Sequence, residues 1–180
     1  MTRIFLIGYM GSGKTTLGKA FARAMHLEFI DLDSYIEARF HKTVSAIFAE
    51  KGESRFREVE RNLLREVGEF EDVIIAAGGG TPCFFDNITY MNQVGQTVFL
   101  DVQTDVLFRR LRVAKAKRPL LADKTDEELM GTITDALERR LPFYTQARYR
   151  FNAEELESRG QIAASVERLK ELLKENHQLK

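Results

Sequence analysis

Short apolar runs alternate with longer amphipathic stretches along this chain. The first run, residues 4–7, is continuous and is followed by Gly8, which is typical of a strand buried on both faces of a sheet. The next stretch repeats apolar residues at helical spacing between Leu17 and Met25, so a helix is predicted to follow the first strand. Further runs predict four more strands: residues 29–33, 73–77, 97–102 and 149–152.

The stretches between these runs carry the signals of further helices. One helix is predicted over residues 34–40, and another over residues 43–52 with Thr43 as its N-cap. Thr125 and Glu128 form a capping box at the start of a later helix. Two apolar stripes predict a longer helix in the first half of the chain and a final helix: Phe56, Val59, Leu63, Leu64 and Val67, then Ile162, Val166, Leu169 and Leu173.

This alternation predicts an α/β fold built on a parallel sheet with helices on both faces. Ligands of such folds bind outside the carboxyl ends of the strands, so the residues that follow each strand are the first candidates for chemistry. No internal repeat or low-complexity linker divides the 180 residues, and we expect a single domain.

Composition and charge exclude several classes of function. The 27 basic residues are balanced by 27 acidic residues, so no net field favours nucleic acid or a membrane surface. The first apolar run is far too short for a signal peptide or a membrane span. The single cysteine, Cys83, cannot form an internal disulfide and suits a reducing compartment. We therefore expect a cytoplasmic protein with no nucleic-acid or membrane partner, and we expect a monomer.

Residues 8–15 match the phosphate-binding pattern G-x-x-x-x-G-K-[ST] in full, between a buried strand and a helix. Glycines allow backbone N–H groups to turn toward phosphate oxygens, and the helix N-terminus adds partial positive charge. A lysine at this place reaches the β- and γ-phosphates, and the following threonine serves Mg²⁺. An accidental glycine-rich turn is the alternative. The residues assigned to the nucleotide are Gly11, Ser12, Gly13, Lys14, Thr15 and Thr16.

Two carboxylates, Asp31 and Asp33, are predicted at the end of the second strand. Strand alternation would place both side chains on one side of that strand. Beside a triphosphate, one carboxylate can serve the metal while the other accepts a proton from an attacking hydroxyl. The alternative is a polar strand end in which an aspartate caps the next helix.

Other polar groups have both a structural and a functional interpretation. Arg57 and Glu60, three residues apart on a predicted helix, form either a surface ion pair or an arginine that grips a substrate carboxylate while Glu60 fixes it. The run Gly78-Gly79-Gly80 is a turn or a close approach of backbone to ligand. Arg140 either complements a helix dipole or binds a ligand.

A basic run between Arg109 and Arg118 precedes a Pro-Leu-Leu segment. Such a run is usually a solvated face, and contact with nucleic acid is a further possibility. In a phosphoryl-transfer enzyme it predicts a lid that carries an arginine to the γ-phosphate.

Together these motifs resemble those of the shikimate kinases, and the resemblance spans nearly the whole chain. The family pattern is a P-loop followed by D-L-D-x-x-I-E, F-R-x-x-E, G-G-G, R-P-L-L and R-x-P-x-Y in that order. The matching residues after the P-loop are Asp31-Leu32-Asp33, Phe56-Arg57 with Glu60, Gly78–Gly80, Arg118-Pro119-Leu120-Leu121 and Arg140-Leu141-Pro142-Phe143-Tyr144.

The resemblance implies a five-stranded parallel sheet, a substrate-binding insert over residues 33–60 and a lid over residues 112–124. It implies transfer of the γ-phosphoryl group of ATP to the 3-hydroxyl of shikimate, with Mg²⁺ as cofactor, in aromatic amino-acid synthesis. Asp33 would bind substrate hydroxyls and act as the candidate base, while Arg118 would stabilise the transferred phosphoryl group. The metal would be served by Thr15 and Asp31.

The same resemblance implies a set of substrate and adenine contacts. Arg57 and Arg140 would clamp the substrate carboxylate. Arg110 and Arg112 compete for one adenine contact, and Arg159 is assigned to a second on spacing alone. The remaining implied substrate contacts are Phe48, Phe56, Glu60, Gly78, Gly79 and Gly80.

Rival functions fit the sequence less well. A nucleoside monophosphate kinase shares the P-loop, but its acceptor is a phosphate, which Asp33 would repel. A gluconate kinase takes a sugar acid, yet D-L-D-x-x-I-E and F-R-x-x-E are not expected there. A nucleotide-binding regulator without catalysis would not need every one of these polar groups.

Overall fold

Five parallel strands form the centre of the fold, in the order β2-β3-β1-β4-β5. The computed structural model describes residues 2–114 and 123–176. The strands are β1 (Arg3–Ile7), β2 (Glu28–Asp31), β3 (Val73–Ala76), β4 (Gln96–Asp101) and β5 (Tyr149–Asn152). The parallel five-stranded sheet flanked by helices confirms the predicted fold class.

Helices connect successive strands and cover the sheet. They are α1 (Lys14–Met25), α2 (Leu32–Phe40), α3 (Val44–Val67), α4 (Asn87–Val94), α5 (Thr104–Ala114), α6 (Asp126–Tyr144) and α7 (Arg159–Asn176). A short 3-10 helix, Thr81–Cys83, follows β3. Gly52 interrupts α3 with φ 75° and ψ 168°, so the predicted division into two helical segments is confirmed.

The central strands are apolar because helices cover them. Every residue from Ile4 to Ile7 is fully buried, as a strand packed on both faces requires. Its neighbour β3 is buried along its whole length. The chain therefore leaves its polar groups at the carboxyl ends of β1, β2 and β3, which lie side by side.

The end of the second strand differs from the prediction. The sequence predicts a strand over residues 29–33, but β2 ends at Asp31 and α2 begins at Leu32. Asp31 is the N-cap of α2, because its side chain accepts a hydrogen bond from the Ser34 backbone. Asp33 therefore lies in the first helical turn, and strand alternation does not explain how the two carboxylates come together.

Several local signals are confirmed. Thr43 caps α3 by accepting from the Ala46 backbone, and Thr125 with Glu128 forms the predicted capping box. The predicted fifth strand has the observed bounds. Within residues 2–114 and 123–176, no helix is long and apolar enough to cross a membrane. The implied lid lies largely outside the described residues, and so does Arg118.

Candidate nucleotide and acceptor site

A cleft of about 470 Å³ opens at the carboxyl ends of β1, β2 and β3. Its position is the one expected for a ligand in a parallel α/β sheet. The cleft is lined by the P-loop, the two predicted carboxylates, the end of β3 with the glycine run, the end of α5 and the segment after β5. The lining residues are Met10, Gly11, Gly13, Lys14, Thr15, Thr16, Asp31, Asp33, Ala76, Ala77, Gly78, Gly79, Arg110, Leu111, Ala114, Leu156 and Glu157.

The P-loop wraps one wall of this cleft before α1 begins. Gly11 has φ +80° and Gly13 has φ +98°, a left-handed conformation that side chains other than glycine rarely adopt. Lys14 crosses back over the loop and donates from Nζ to the carbonyl oxygens of Gly8 (2.8 Å) and Tyr9 (2.9 Å). The loop thus holds an ammonium group and a helix N-terminus at one place, which suits a polyphosphate.

Thr15 and Asp31 form a pair of oxygen groups at the start of α1 and the end of β2. Thr15 Oγ1 donates to Asp31 Oδ2 at 3.0 Å, while Asp31 Oδ1 accepts from the Ser34 N–H at 3.2 Å. A hydroxyl and a carboxylate beside a phosphate-binding loop fit Mg²⁺, which takes few protein oxygens and completes its shell with phosphate and water. Asp31 thus serves as a helix cap and remains a candidate metal group.

Asp33 is exposed to the open cleft, yet its carboxylate is a stronger base than an ordinary aspartate because surrounding protein replaces part of its water. Loss of hydration raises its pKa to about 6, and the negative charges of Asp31 and Glu60 add to the effect. Lys14 opposes it by favouring the ionised form. Removal from water and nearby carboxylates are the two environments that make a carboxylate hold a proton more tightly.

The glycine run after β3 lies beside four candidate groups of the acceptor site, Asp33, Glu60, Arg57 and Arg140. A Cβ atom on Gly78 would lie 3.0 Å from Asp33 Oδ1 and 3.2 Å from Glu60 Oε1. The run itself forms a turn, because the Thr81 N–H donates to the Gly78 carbonyl at 3.1 Å, so the turn interpretation is confirmed. Side chains occupy the space around the run, and the approach of a ligand to its backbone stays a prediction.

The next two glycines approach the two candidate clamp arginines. A Cβ atom on Gly79 would lie 3.2 Å from Nη1 of Arg140 and 3.6 Å from the carbonyl oxygen of Gly8 in the P-loop. On Gly80 it would lie 2.6 Å from Nη2 of Arg57. Because consecutive Cα atoms are about 3.8 Å apart, both guanidinium groups flank one short piece of backbone.

Arg57 and Glu60 are not a surface ion pair. The Glu60 side chain is 1% exposed and that of Arg57 is 11% exposed, and Arg57 Nη1 donates to Glu60 Oε2 at 2.8 Å. The other carboxylate oxygen of Glu60 accepts from Thr81 Oγ1 at 2.6 Å. Glu60 therefore fixes Arg57, and neither of these two residues nor Arg140 is among the residues that line the 470 Å³ cleft.

Arg140 is held at the end of α6 beside a buried tyrosine. Its guanidinium lies 5.4 Å from the ring centre of Tyr9. The Tyr144 hydroxyl donates to the Gly79 carbonyl at 2.6 Å, and burial raises the pKa of Tyr144 well above its ordinary value. Within residues 2–114 and 123–176, no carboxylate lies within salt-bridge distance of Arg140, so an anionic substrate group would meet an arginine that no described acidic side chain neutralises.

Two of the implied substrate contacts, Phe48 and Phe56, lie beside Arg57. Phe48 and Phe56 pack on each other with ring centres 4.7 Å apart, and the Arg57 guanidinium lies 5.8 Å and 5.3 Å from their respective centres. The two rings thus form an aromatic pair beside the arginine that is predicted to bind the substrate.

The far end of the cleft is organised by Arg110. Its guanidinium donates to the carbonyl oxygens of Gly11, Ala153 and Glu154, and it pairs with Glu157. These bonds join the P-loop to the segment after β5, and Arg110 also lines the cleft. A guanidinium group has a flat face that can stack on another planar group. A nucleotide base is the group that such a face suits.

The other two adenine candidates lie elsewhere. Arg112 pairs with Asp126 on the exposed surface, and Arg159 is exposed at the start of α7. Neither lines the cleft, so Arg110 alone of the three is placed beside it. Spacing in the sequence could not distinguish Arg110 from Arg112, because the choice depends on which face of α5 meets the P-loop.

Sequence reasoning gave no role to three residues that build the site. Leu156 packs so closely on the P-loop that a Cβ on Gly13 would lie 2.3 Å from it. Thr81 and Phe84 contact Glu60 and Arg57 from the segment after the glycine run. The adjacent phenylalanines at 84 and 85 are an available signal, since an aromatic pair beside a glycine run is unusual for a solvent-exposed turn.

Comparison with known proteins gives a consistent result. The family model described as shikimate kinase matches residues 10–171. A shikimate kinase from Bacteroides thetaiotaomicron is 66% identical over 173 residues, which cover 96% of this chain and 99% of the relative.

Two solved structures extend the similarity to three dimensions. A crystal structure of shikimate kinase from Bacteroides thetaiotaomicron has a TM-score of 0.95 at 65% identity, covering 96% of this chain and 98% of the other. A shikimate kinase from Acinetobacter baumannii, solved in complex with shikimate, has a TM-score of 0.85 at 30% identity and covers 100% and 96% of the respective chains.

Proposed function

This chain belongs to the shikimate kinase family, and on that premise we propose that it transfers the γ-phosphoryl group of ATP to the 3-hydroxyl of shikimate. The products are ADP and shikimate 3-phosphate, in the route to chorismate and the aromatic amino acids. The observation that carries the proposal is the contact of one glycine run with the P-loop, Asp33 and two arginines. We propose that the corner formed by these two arginines binds the substrate carboxylate beside the phosphate-binding loop.

The reaction follows from these positions. The 3-hydroxyl oxygen attacks the γ-phosphorus, the bond to the bridging oxygen of the β-phosphate breaks, and ADP leaves. Asp33 accepts the hydroxyl proton or orients the hydroxyl, and its raised pKa suits a proton acceptor. Lys14 neutralises charge on the β- and γ-phosphates as the group is transferred.

Mg²⁺ and ATP are the cofactors of this family's reaction. We assign the metal to Thr15 and Asp31, whose oxygen atoms lie 3.0 Å apart at the foot of the P-loop. When bound there, the ion screens the phosphate charges. The protein's own contribution is to present one hydroxyl and one carboxylate and to hold Asp31 through the N-cap of α2.

The acceptor is selected through its carboxylate. Arg57 and Arg140 approach neighbouring glycines, so a single carboxylate can bridge them. Planar guanidinium groups match carboxylates through paired hydrogen bonds, which an ammonium group does not reproduce. The negative charge of Asp33 beside this corner disfavours an acceptor phosphate, as in a nucleoside monophosphate kinase.

The parts of the chain have distinct tasks in this proposal. Residues 33–60 form the substrate-binding insert, and residues 112–124 form a lid that brings Arg118 to the transferred phosphoryl group. Arg110 stacks on adenine. The substrate ring lies against Phe48 and Phe56.

We further propose that the protein acts as a monomer in the cytoplasm. In the described part of the chain the exposed large apolar side chains are Phe70 and Phe85, in two separate connecting segments, Val113 on α5 and Leu141 on α6. Scattered apolar residues of this kind do not form an obligate interface. Cys83 is a free thiol, which fits a reducing compartment.

The proposal is tested by the choice of acceptor. ADP release from Mg²⁺-ATP is measured with shikimate, gluconate and nucleoside monophosphates, and without an acceptor. We expect release above the acceptor-free rate with shikimate, and a kcat/KM at least about a hundredfold lower with the others, because only shikimate fits both the clamp and the base. Preference for another acceptor would contradict the proposal.

A further inference from the structure

The guanidinium group of Arg57 has aromatic neighbours in addition to its ion pairs with Glu60 and Glu53. Its carbon atom lies 4.1 Å from the ring centre of Phe84, closer than to the rings of Phe56 (5.3 Å) and Phe48 (5.8 Å). A cation over a ring face at this distance is attracted by the electron density of the ring. Phe84 thus provides the closest of the aromatic contacts to this arginine.

Phe84 belongs to a turn over residues 81–84 that also reaches Arg57 through Glu60. The Thr81 hydroxyl donates to Glu60 Oε1 at 2.6 Å, and Glu60 Oε2 accepts from Arg57 at 2.8 Å. Asn87 anchors the turn, since its side-chain amide donates to the Thr81 carbonyl at 2.9 Å. The turn therefore acts on Arg57 from two directions, once through a ring face and once through a hydrogen-bonded carboxylate.

These two contacts constrain different freedoms of the side chain. A free arginine samples many rotamers, and ordering it costs binding free energy. A ring against the guanidinium face limits tilting and consumes none of the N–H donors. The buried carboxylate of Glu60 accepts a hydrogen bond from Nη1 of Arg57 and so limits rotation of the guanidinium group. Nη2 makes one further, longer contact, with the exposed carboxylate of Glu53 at 3.4 Å. The ring and Glu60 together hold the guanidinium group in one orientation.

We propose that the turn over residues 81–84 positions Arg57 for the substrate carboxylate, with Phe84 and Thr81 as positioning residues. The proposal rests on the proposed role of Arg57 in binding shikimate. It predicts that weakening the turn raises the Kd and KM for shikimate while the phosphoryl-transfer step itself is preserved.

Phe84 has a matched control in its neighbour. Phe85 lies over Arg61 at 5.0 Å, the same type of contact, but Arg61 pairs with Asp86 at the surface. Phe84→Leu should raise the shikimate Kd roughly 5- to 30-fold, which is the loss of affinity expected when a partly desolvated cation–π contact is removed. Its kcat at saturating shikimate and its affinity for ADP should stay within about twofold of wild type. Phe85→Leu should leave all three unchanged.

Two further comparisons separate positioning from general destabilisation. In an Arg57→Ala background, Phe84→Leu should cause no further loss of affinity, because the group that it positions is absent. Thr81→Val, which keeps the shape and removes the hydroxyl, should weaken shikimate binding, and Thr81→Ser should restore it. Thermal unfolding of each variant shows that the protein is folded.

The outcomes are distinct. Unchanged shikimate affinity in both Phe84→Leu and Thr81→Val, or an equal further loss in the Arg57→Ala background, would overturn the positioning role while leaving the proposed function intact. A wild-type protein that does not bind or phosphorylate shikimate would overturn both.

Discussion

Replacement of Lys14 by alanine is expected to lower kcat by roughly 10²- to 10³-fold or more, while the protein stays folded. The loss follows from removal of a preorganised cation from the site where phosphoryl charge develops, a contribution worth about 3–4 kcal/mol for a single donor. Lys14 points over the P-loop and not into the core, so no cavity is created. Steady-state ADP release at saturating ATP and shikimate measures the effect.

Lys19 is the matched control for this substitution. It lies on the same helix, is exposed, and contacts only the Phe29 ring face at 5.8 Å among the contacts described for it. Lys19→Ala should keep kcat within about twofold of wild type. A Lys14→Ala protein that retained near-normal turnover would show that the loop does not hold the transferred phosphate.

Asp33→Asn is expected to lower kcat by roughly 10²- to 10⁴-fold, the range for loss of a positioned proton acceptor. Asparagine keeps the shape of the side chain and removes its basic oxygen. Asp105→Asn makes the same change of charge on an exposed residue that pairs with Arg109, and should have little effect on turnover. Comparable kcat values for Asp33→Asn and wild type would exclude Asp33 as the acceptor of the proton.

The same substitution should stabilise the protein without ligand or metal. The pKa of Asp33 is about 6 in the folded protein, above the ordinary 3.8, so the folded state retains a proton that the unfolded state loses between these values. Stability therefore falls as pH rises through that window. Thermal unfolding is measured for wild type and Asp33→Asn in the presence of a chelator. The two proteins should have equal melting temperatures below about pH 4, and Asp33→Asn should have the higher melting temperature above about pH 6. A lower melting temperature for Asp33→Asn at neutral pH would contradict the assigned environment.

Local signals of the sequence predicted much of the fold. The continuous apolar run at residues 4–7 identifies a central strand because only burial on both faces tolerates it. Thr43 and the Thr125–Glu128 capping box mark helix starts through hydrogen bonds that neighbouring residues make. Each of these signals depends only on residues close together in the chain, and the sequence therefore predicts these elements correctly.

The position of Asp33 shows where local reasoning ends. An apolar-polar alternation through residue 33 looks like strand, but the Asp31 side chain captures the Ser34 N–H and starts a helix two residues earlier. An aspartate at this place can either continue the strand or cap a new helix, and the sequence alone does not show which of the two conformations is formed. Both carboxylates still reach the cleft, since a first helical turn projects from the same strand end.

Tertiary contacts decided the remainder of the site. Sequence spacing offered both a surface and a buried interpretation of Arg57 and Glu60, and only packing against the turn that carries Thr81 distinguishes them. Likewise, Arg110 and Arg112 lie on one helix, and the approach of the P-loop selects Arg110. Contacts between residues far apart in the chain leave no periodic pattern, so no pattern could predict them.

The most direct test of the proposed function is discrimination between shikimate and its methyl ester, which has the same hydroxyls and lacks the negative charge. The ratio of kcat/KM for the two acceptors is measured in wild type, Arg57→Ala and Arg140→Ala. We expect wild type to favour shikimate strongly and each variant to lose roughly 10- to 100-fold of that preference, because a charge-assisted hydrogen bond contributes about 1.5–3 kcal/mol. The same ratio in all three proteins would contradict the carboxylate clamp and with it the assignment of shikimate as the acceptor.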